Sequence, residues 1–237
     1  MGNHHNFNKN FIHHQKSRIA GVLKEVVFGI EDGMVSTLGS ITGIAVGSKD
    51  QATVLLAGSV IIAVESISMG IGSYLSNKSE EEMDARKIKE EMEENEKFPN
   101  EEKQELLEIY KRDGWSEELA SKMTEFAVGN KKLMLQEMKL RELKIVNDEE
   151  STSIKGGVYM FFAYIFGGLI PLCSYFLLPI KTAIPISIAV TLTGLFILGM
   201  GTTRFTKQPI FKSGLRILIM GGIALVAGLA AGLLIGE

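Results

Sequence analysis

A carboxylate and a thioether, Glu65 and Met69, stand four residues apart inside an apolar run. At i and i+4 they share one side of a helix. Oxygen with sulfur suits a borderline divalent transition metal better than Ca²⁺ or Mg²⁺, which prefer all-oxygen cages. A second acid, Asp32, lies in an earlier apolar stretch. An ionisable group deep in lipid is costly, so each is a functional candidate by default. A protonated or hydrogen-bonded structural acid explains one such residue easily. It explains two on successive segments less well than a shared polar pathway does. Ser66 and Ser68 add polarity beside Glu65, and Gly70 and Gly72 let another helix close on it. Glu31 precedes Asp32 but points about 100° away around the helix, toward the mouth of the pathway.

Further carboxylates fall at helical spacing between residues 78 and 150. Glu91 and Glu94 are i,i+3, as are Glu102 and Glu105, while Met138 and Glu142 are i,i+4. A Glu/Lys-rich helix face is most often simply solvated. Here the acids are concentrated. The segment holds 22 Asp and Glu against 14 Lys and Arg, net −8, and the rest of the chain is net +5. An acid-rich segment of this kind gathers cations at its surface.

Those residues need elements to hold them. A spanning helix takes about 20 largely apolar residues. Five stretches fit: 26–47, 52–75, 157–178, 183–203 and 217–236. Lys and Arg are dense in the N-terminal segment (Lys9, Lys16, Arg18, Lys24) and in the fourth connection (Arg204, Lys207, Lys212, Arg216). The first and third connections hold only Lys49 and Lys181. Positive residues stay on the cytosolic side. The N-terminus and the acidic insert are therefore expected in the cytosol, and the C-terminus across the membrane. The expected fold is an all-α membrane protein of five transmembrane helices, with a cytosolic helical bundle inserted between the second and third. Its parts are a flexible His/Asn-rich tail (1–20), spans one and two (21–77), the acidic metal-binding domain (78–150) and spans three to five (151–237).

Within the insert, good helix formers predict helices over 79–97, 101–112, 116–128 and 130–146. Phe98-Pro99-Asn100 and Asp113-Gly114 separate the first three. Ser116 is placed to cap the third, although Leu119 occupies the position where a capping box has Glu or Gln. Glycines recur every four residues at 29 and 33, at 39, 43 and 47, and at 228, 232 and 236. Such spacing lets backbones approach closely, either within one chain or across a dimer face.

Other chemistries find little support. The single cysteine, Cys173, excludes a disulfide within the chain and a cysteine-based zinc site. It reads as a small hydrophobe facing lipid or a helix. His4, His5, His13 and His14 all lie in the tail. No glycine-rich phosphate loop, Ser/His/Asp set or Walker lysine appears, so coupling to ATP is not expected. The first apolar run is too late and too long for a cleavable signal peptide. No enzyme activity, tightly bound cofactor or nucleic-acid partner is expected.

The segments E-V-V-F-G-I-E-D-G-M-V-S-T and V-E-S-I-S-M-G-I-G-S-Y-L-S-N-K-S-E resemble the vacuolar iron transporter family. G-G-L-I-P-L in the third span and F-K-S-G-L before the fifth continue the likeness. It covers essentially everything after the tail. The resemblance implies a five-span homodimer that exports Fe²⁺ from the cytosol in exchange for protons, with tolerance of Mn²⁺, Co²⁺ or Zn²⁺. It places the family's first-span acid on Asp32 and its second-span methionine on Met69. The cytosolic ligands fall on Glu91, Glu94, Glu102, Glu105, Met138 and Glu142. Some plant members carry an acid two turns before the methionine. That position here is Ile61, and Glu65, one turn before, takes the role. Prokaryotic relatives look more like this chain, which favours a plasma-membrane location. The alternatives are a membrane-anchored metal-binding or storage module and a passive divalent-cation channel.

Overall fold

A computed structural model describes residues 19–145 and 153–236. The histidine pairs of the tail lie outside the described residues. Those residues form eight helices and no strand: α1 (Ile19–Ser48), α2 (Gln51–Lys97), α3 (Pro99–Arg112), α4 (Glu117–Val128), α5 (Lys131–Arg141), α6 (Ser153–Leu177), α7 (Ile180–Thr206) and α8 (Ile210–Ile235). The chain forms two compact units, one of residues 72–154 and one of the remainder.

Among the described residues, four helices are long and apolar enough to cross a membrane: α2, α6, α7 and α8. At 30 residues α1 is long enough. Its composition keeps it out of that set, because Lys24, Glu25, Glu31 and Asp32 crowd its first half. The packing explains how such a helix is accommodated. Met34, Leu38, Ile41 and Ala45 are buried. Gly33 lies against α6, and Gly39 and Gly43 against α8. A helix wrapped by its neighbours need not be apolar all round. The outer helices show the opposite pattern. Val64, Ile67 and Ile71 of α2, Phe162 and Phe166 of α6, and Ile219 and Ile223 of α8 are exposed. Cys173 is exposed on α6.

The glycine repeats serve this internal packing. A Cβ at Gly228 would overlap the Gly39 carbonyl oxygen on α1, and one at Gly43 would overlap the Gly228 carbonyl oxygen. The glycine face of α1 is thus occupied by α8 of the same chain, and a dimer face on those glycines is withdrawn. Overpacking a seam this tight costs about 2 kcal/mol. Gly228→Val is expected to lower the melting temperature of the detergent-solubilised protein by roughly 5 °C, measured by differential scanning calorimetry.

In the acidic unit the helix ends follow local chemistry. α2 runs unbroken from the apolar stretch to Lys97. α3 begins at Pro99 rather than at residue 101, because proline at the first turn lacks only an N–H that has no helical partner. Ser116 caps α4 by accepting from the Leu119 backbone N–H at 3.4 Å. Asn130 caps α5 by accepting from the Leu133 N–H at 3.2 Å. α5 stops at Arg141, short of the expected residue 146, and Lys144 adopts a left-handed φ of 55°. Leu106, Ile109, Tyr110, Ala120, Ala127, Met134 and Met138 form the core of the bundle.

Candidate metal centre

Three helices of the acidic unit supply its carboxylates: α2 gives Glu91 and Glu94, α3 gives Glu102 and Glu105, and Glu142 caps α5. Glu91 is 1% exposed and Glu102 5%, whereas Glu94 and Glu105 are exposed. Each pair is three residues apart, so its members straddle the edge of the buried face. The carboxyls of Glu102 and Glu142 lie within hydrogen-bonding reach of the Glu91 side chain. Glu102 and Glu142 also lie within electrostatic reach of Glu94 and Glu105. One oxygen on each of Glu91, Glu102 and Glu142 is buried without a partner.

Anionic oxygens in such a place are costly unless paired. Burial, reinforced by the carboxyls of Glu102 and Glu142, pushes Glu91 up to about 8. Burial first, then neighbouring acids, raises Glu102 and Glu142 as well. Two carboxyls bond to one another only when a proton sits between them. Raised together, these acids favour holding protons between them. Among the described residues, no three His, Cys, Asp or Glu side chains stand at metal-ligating distance. A divalent ion would have to draw these carboxylates together as it displaces their protons. Met138 is fully buried among the apolar residues of the bundle core.

An ion-pair clamp that sequence spacing did not single out holds this corner. Arg141, next to Glu142, donates to Glu137 at 2.6 Å and to Asp113 at the end of α3. Its guanidinium lies over the Tyr110 ring at 4.9 Å. Tyr110 donates to Glu137 at 3.0 Å. The usable signal was the Glu137–Arg141 spacing of i,i+4. The glutamates at residues 80–82 play another part: Glu81 and Glu82 pair with Lys78.

The apolar unit holds the other candidates. Asp32 is half-buried on α1 and interacts electrostatically with Glu65 on α2. Glu65 is exposed and Met69 half-buried, both on α2. The buried Tyr164 of α6 senses both acids. Its hydroxyl hydrogen-bonds Ser36, one turn beyond Asp32, at 2.6 Å. Sequence reasoning missed Tyr164, since a tyrosine in an apolar run gives no pattern of its own. Its signal lies in Gly33. A side chain there would collide with the Tyr164 backbone, so glycine draws α1 and α6 together beside Asp32.

The VIT family model matches residues 23–233. Vacuolar iron transporter 1 of Tulipa gesneriana is 32% identical over 210 residues, covering 88% of this chain and 85% of the relative. Vacuolar iron transporter 1 of Arabidopsis thaliana is 31% identical, covering 91% and 87%. The vacuolar iron transporter of Toxoplasma gondii is 34% identical, covering 85% and 70%. With four membrane-length helices and a match across nearly its whole length, the chain is an all-helical membrane protein and belongs to the VIT family of vacuolar iron transporters.

Proposed function

We propose that the protein carries Fe²⁺, and with it Mn²⁺ and other divalent transition metals, out of the cytosol in exchange for protons. The observation that carries this reading is the cluster of buried Glu91 and Glu102 with half-buried Glu142, each with one buried, unpartnered oxygen, in a chain whose relatives are named iron transporters. Glu94 and Glu105 form the approach, and Met138 adds a thioether on the last helix, one turn before Glu142. Asp32, Glu65 and Met69 then pass the ion through the membrane. Carboxylates with one thioether match a borderline ion. The acid cluster also matches proton exchange, because each metal bound releases protons.

In this reading α1 also crosses the membrane, as the first of five spans, and the protein works as a homodimer. Glu65 and the apolar face of α2 are exposed in the single chain and suit a two-fold contact. The N-terminus and the acidic unit face the cytosol, by the distribution of Lys and Arg. The membrane is assigned as the cell membrane, although the relatives are named for the vacuole.

Proteoliposomes test the reading. An acidic lumen is expected to drive Fe²⁺ accumulation above the outside concentration, with lumenal alkalinisation as metal enters. Downhill flux unaffected by the pH gradient would make the protein a channel. Stoichiometric metal binding without flux would make it a storage module.

A further inference from the structure

Helical threonines usually return their hydroxyl to a carbonyl in the preceding turn. Thr193, Thr202 and Thr203 of α7 do so at 2.6–2.8 Å. Three other threonines of the apolar unit do not. Thr37 and Thr42 on α1 and Thr191 on α7 are fully buried, and their hydroxyl oxygens have no protein partner. The Tyr175 hydroxyl on α6 is buried and unpartnered too. Thr42 and Ser187 lie beside it without closing a hydrogen bond to it, and Ser187 donates instead to the Pro171 carbonyl at 2.8 Å. Thr191 is one turn beyond Ser187 on the same face of α7.

A buried hydroxyl without a partner costs about 1–3 kcal/mol. Four in one apolar body point to water as the missing partner, since buried water sits where several polar groups converge. The placement is directional. Tyr164, Gly168, Pro171 and Tyr175 follow i, i+4, i+7, i+11 on α6, so two phenols share one stripe, and Ile62 packs against Gly168 between them. Gly168 abuts the Thr37 hydroxyl. At one end Tyr164 pairs with Ser36, one turn from Asp32. At the other lie Tyr175, Thr42 and Ser187, with Thr191 one turn along α7 from Ser187.

We propose that this hydroxyl file, bridged by water, conducts protons through each protomer along α1, α6 and α7, by a route separate from the metal ligands Asp32, Glu65 and Met69. Each hydroxyl accepts a proton from one neighbour and releases its own to the next, so no group changes its charge once the proton has passed. The proposal rests on the proton-exchange reading above. It adds that protons and metal take different routes.

Volume-conserving variants test it: Thr42→Val, Thr191→Val and Tyr175→Phe, with Thr193→Val as a control outside the file. Lumenal pH dye and Fe²⁺ uptake are recorded together in proteoliposomes. Thr42→Val and Tyr175→Phe are expected to slow proton counterflow about tenfold. Thr42→Ser should restore it, and Thr193→Val should match the parent. Mn²⁺ binding by the acidic unit should be unchanged in every variant. Parent-rate counterflow in the Thr42→Val/Tyr175→Phe double variant overturns the file while leaving proton exchange intact. Absence of counterflow in the parent overturns both. A second measurement needs no variant. Radiolytic hydroxyl labelling of the unmodified protein, which reports water bound beside buried side chains, should mark Tyr175 despite its burial. An unmarked Tyr175 overturns the proposal.

Discussion

Asp32→Asn is expected to lower Fe²⁺ accumulation in proteoliposomes about 100-fold, the largest loss from a single change in the spans. Asparagine keeps the size and hydrogen-bonding of the side chain and removes only its charge. The close approach of Gly33 to Tyr164 next door should survive. What disappears is half of a facing pair of acids, Asp32 on α1 and Glu65 on α2. A divalent ion leaving water has its charge matched by few groups, and each contributes more as the surroundings become less polar. Losing about 3 kcal/mol of that attraction gives about a hundredfold. Met69→Leu should cost only about tenfold, since the thioether offers a soft lone pair and no charge. Glu31→Gln should stay near the parent rate, because its side chain points to another side of α1. The measurement is initial uptake of radiolabelled iron at fixed pH gradient, with elution on size exclusion as the folding check. Parent-rate uptake by Asp32→Asn would remove Asp32 from the pathway.

The sequence made some of this legible and hid the rest for physical reasons. Spans leave a strong trace because lipid demands continuous apolar runs, and α2, α6, α7 and α8 carry them. α1 does not carry one, since charged residues crowd its first half. Its glycines lie where α6 and α8 pack against it, while Lys24 stays exposed and Glu31 and Asp32 half-buried. Helix ends were readable where caps are local, as at Ser116. The break after Lys97 stands where the breaker residues put it, but α3 opens at Pro99, two residues before the expected start. Spacing put Glu91 with Glu94 and Glu102 with Glu105. It gave no sign that Glu91 and Glu102 turn inward while their partners stay in solvent, since a three-residue step spans that boundary. Thr37 and Thr42 look the same in sequence as Thr193, and only packing separates an orphaned hydroxyl from one bonded to its own helix.

Glu91→Gln should produce opposite effects on stability and on metal affinity. Burial and its neighbouring acids push Glu91 up to about 8 in the folded protein, from an ordinary carboxylate value of 4.5. Between those values the native state holds a proton that the unfolded chain has released. Stability therefore falls as pH rises from about 4.5 to 8, and levels off above. Glu102 and Glu142 are shifted in the same direction and add to the slope. At pH 8 the accumulated loss is on the order of 3 kcal/mol. Glutamine carries its own N–H donor and never ionises. The variant should be more stable than the parent at pH 8 by about 2 kcal/mol, with a flatter pH profile, and near parity at pH 5. The chain's single tryptophan, Trp115, lies in the connection between α3 and α4, so its fluorescence reports unfolding of the acidic unit within the intact protein. The same change removes a central carboxylate from the trio. Mn²⁺ affinity should drop on the order of 100-fold, and the metal-induced rise in melting temperature expected for the parent should vanish. The parent's affinity should itself weaken from pH 8 to pH 6, as protons compete for the same oxygens. A variant that lost stability at pH 8, or bound Mn²⁺ as tightly as the parent, would show that Glu91 is a structural acid rather than the centre of a metal site.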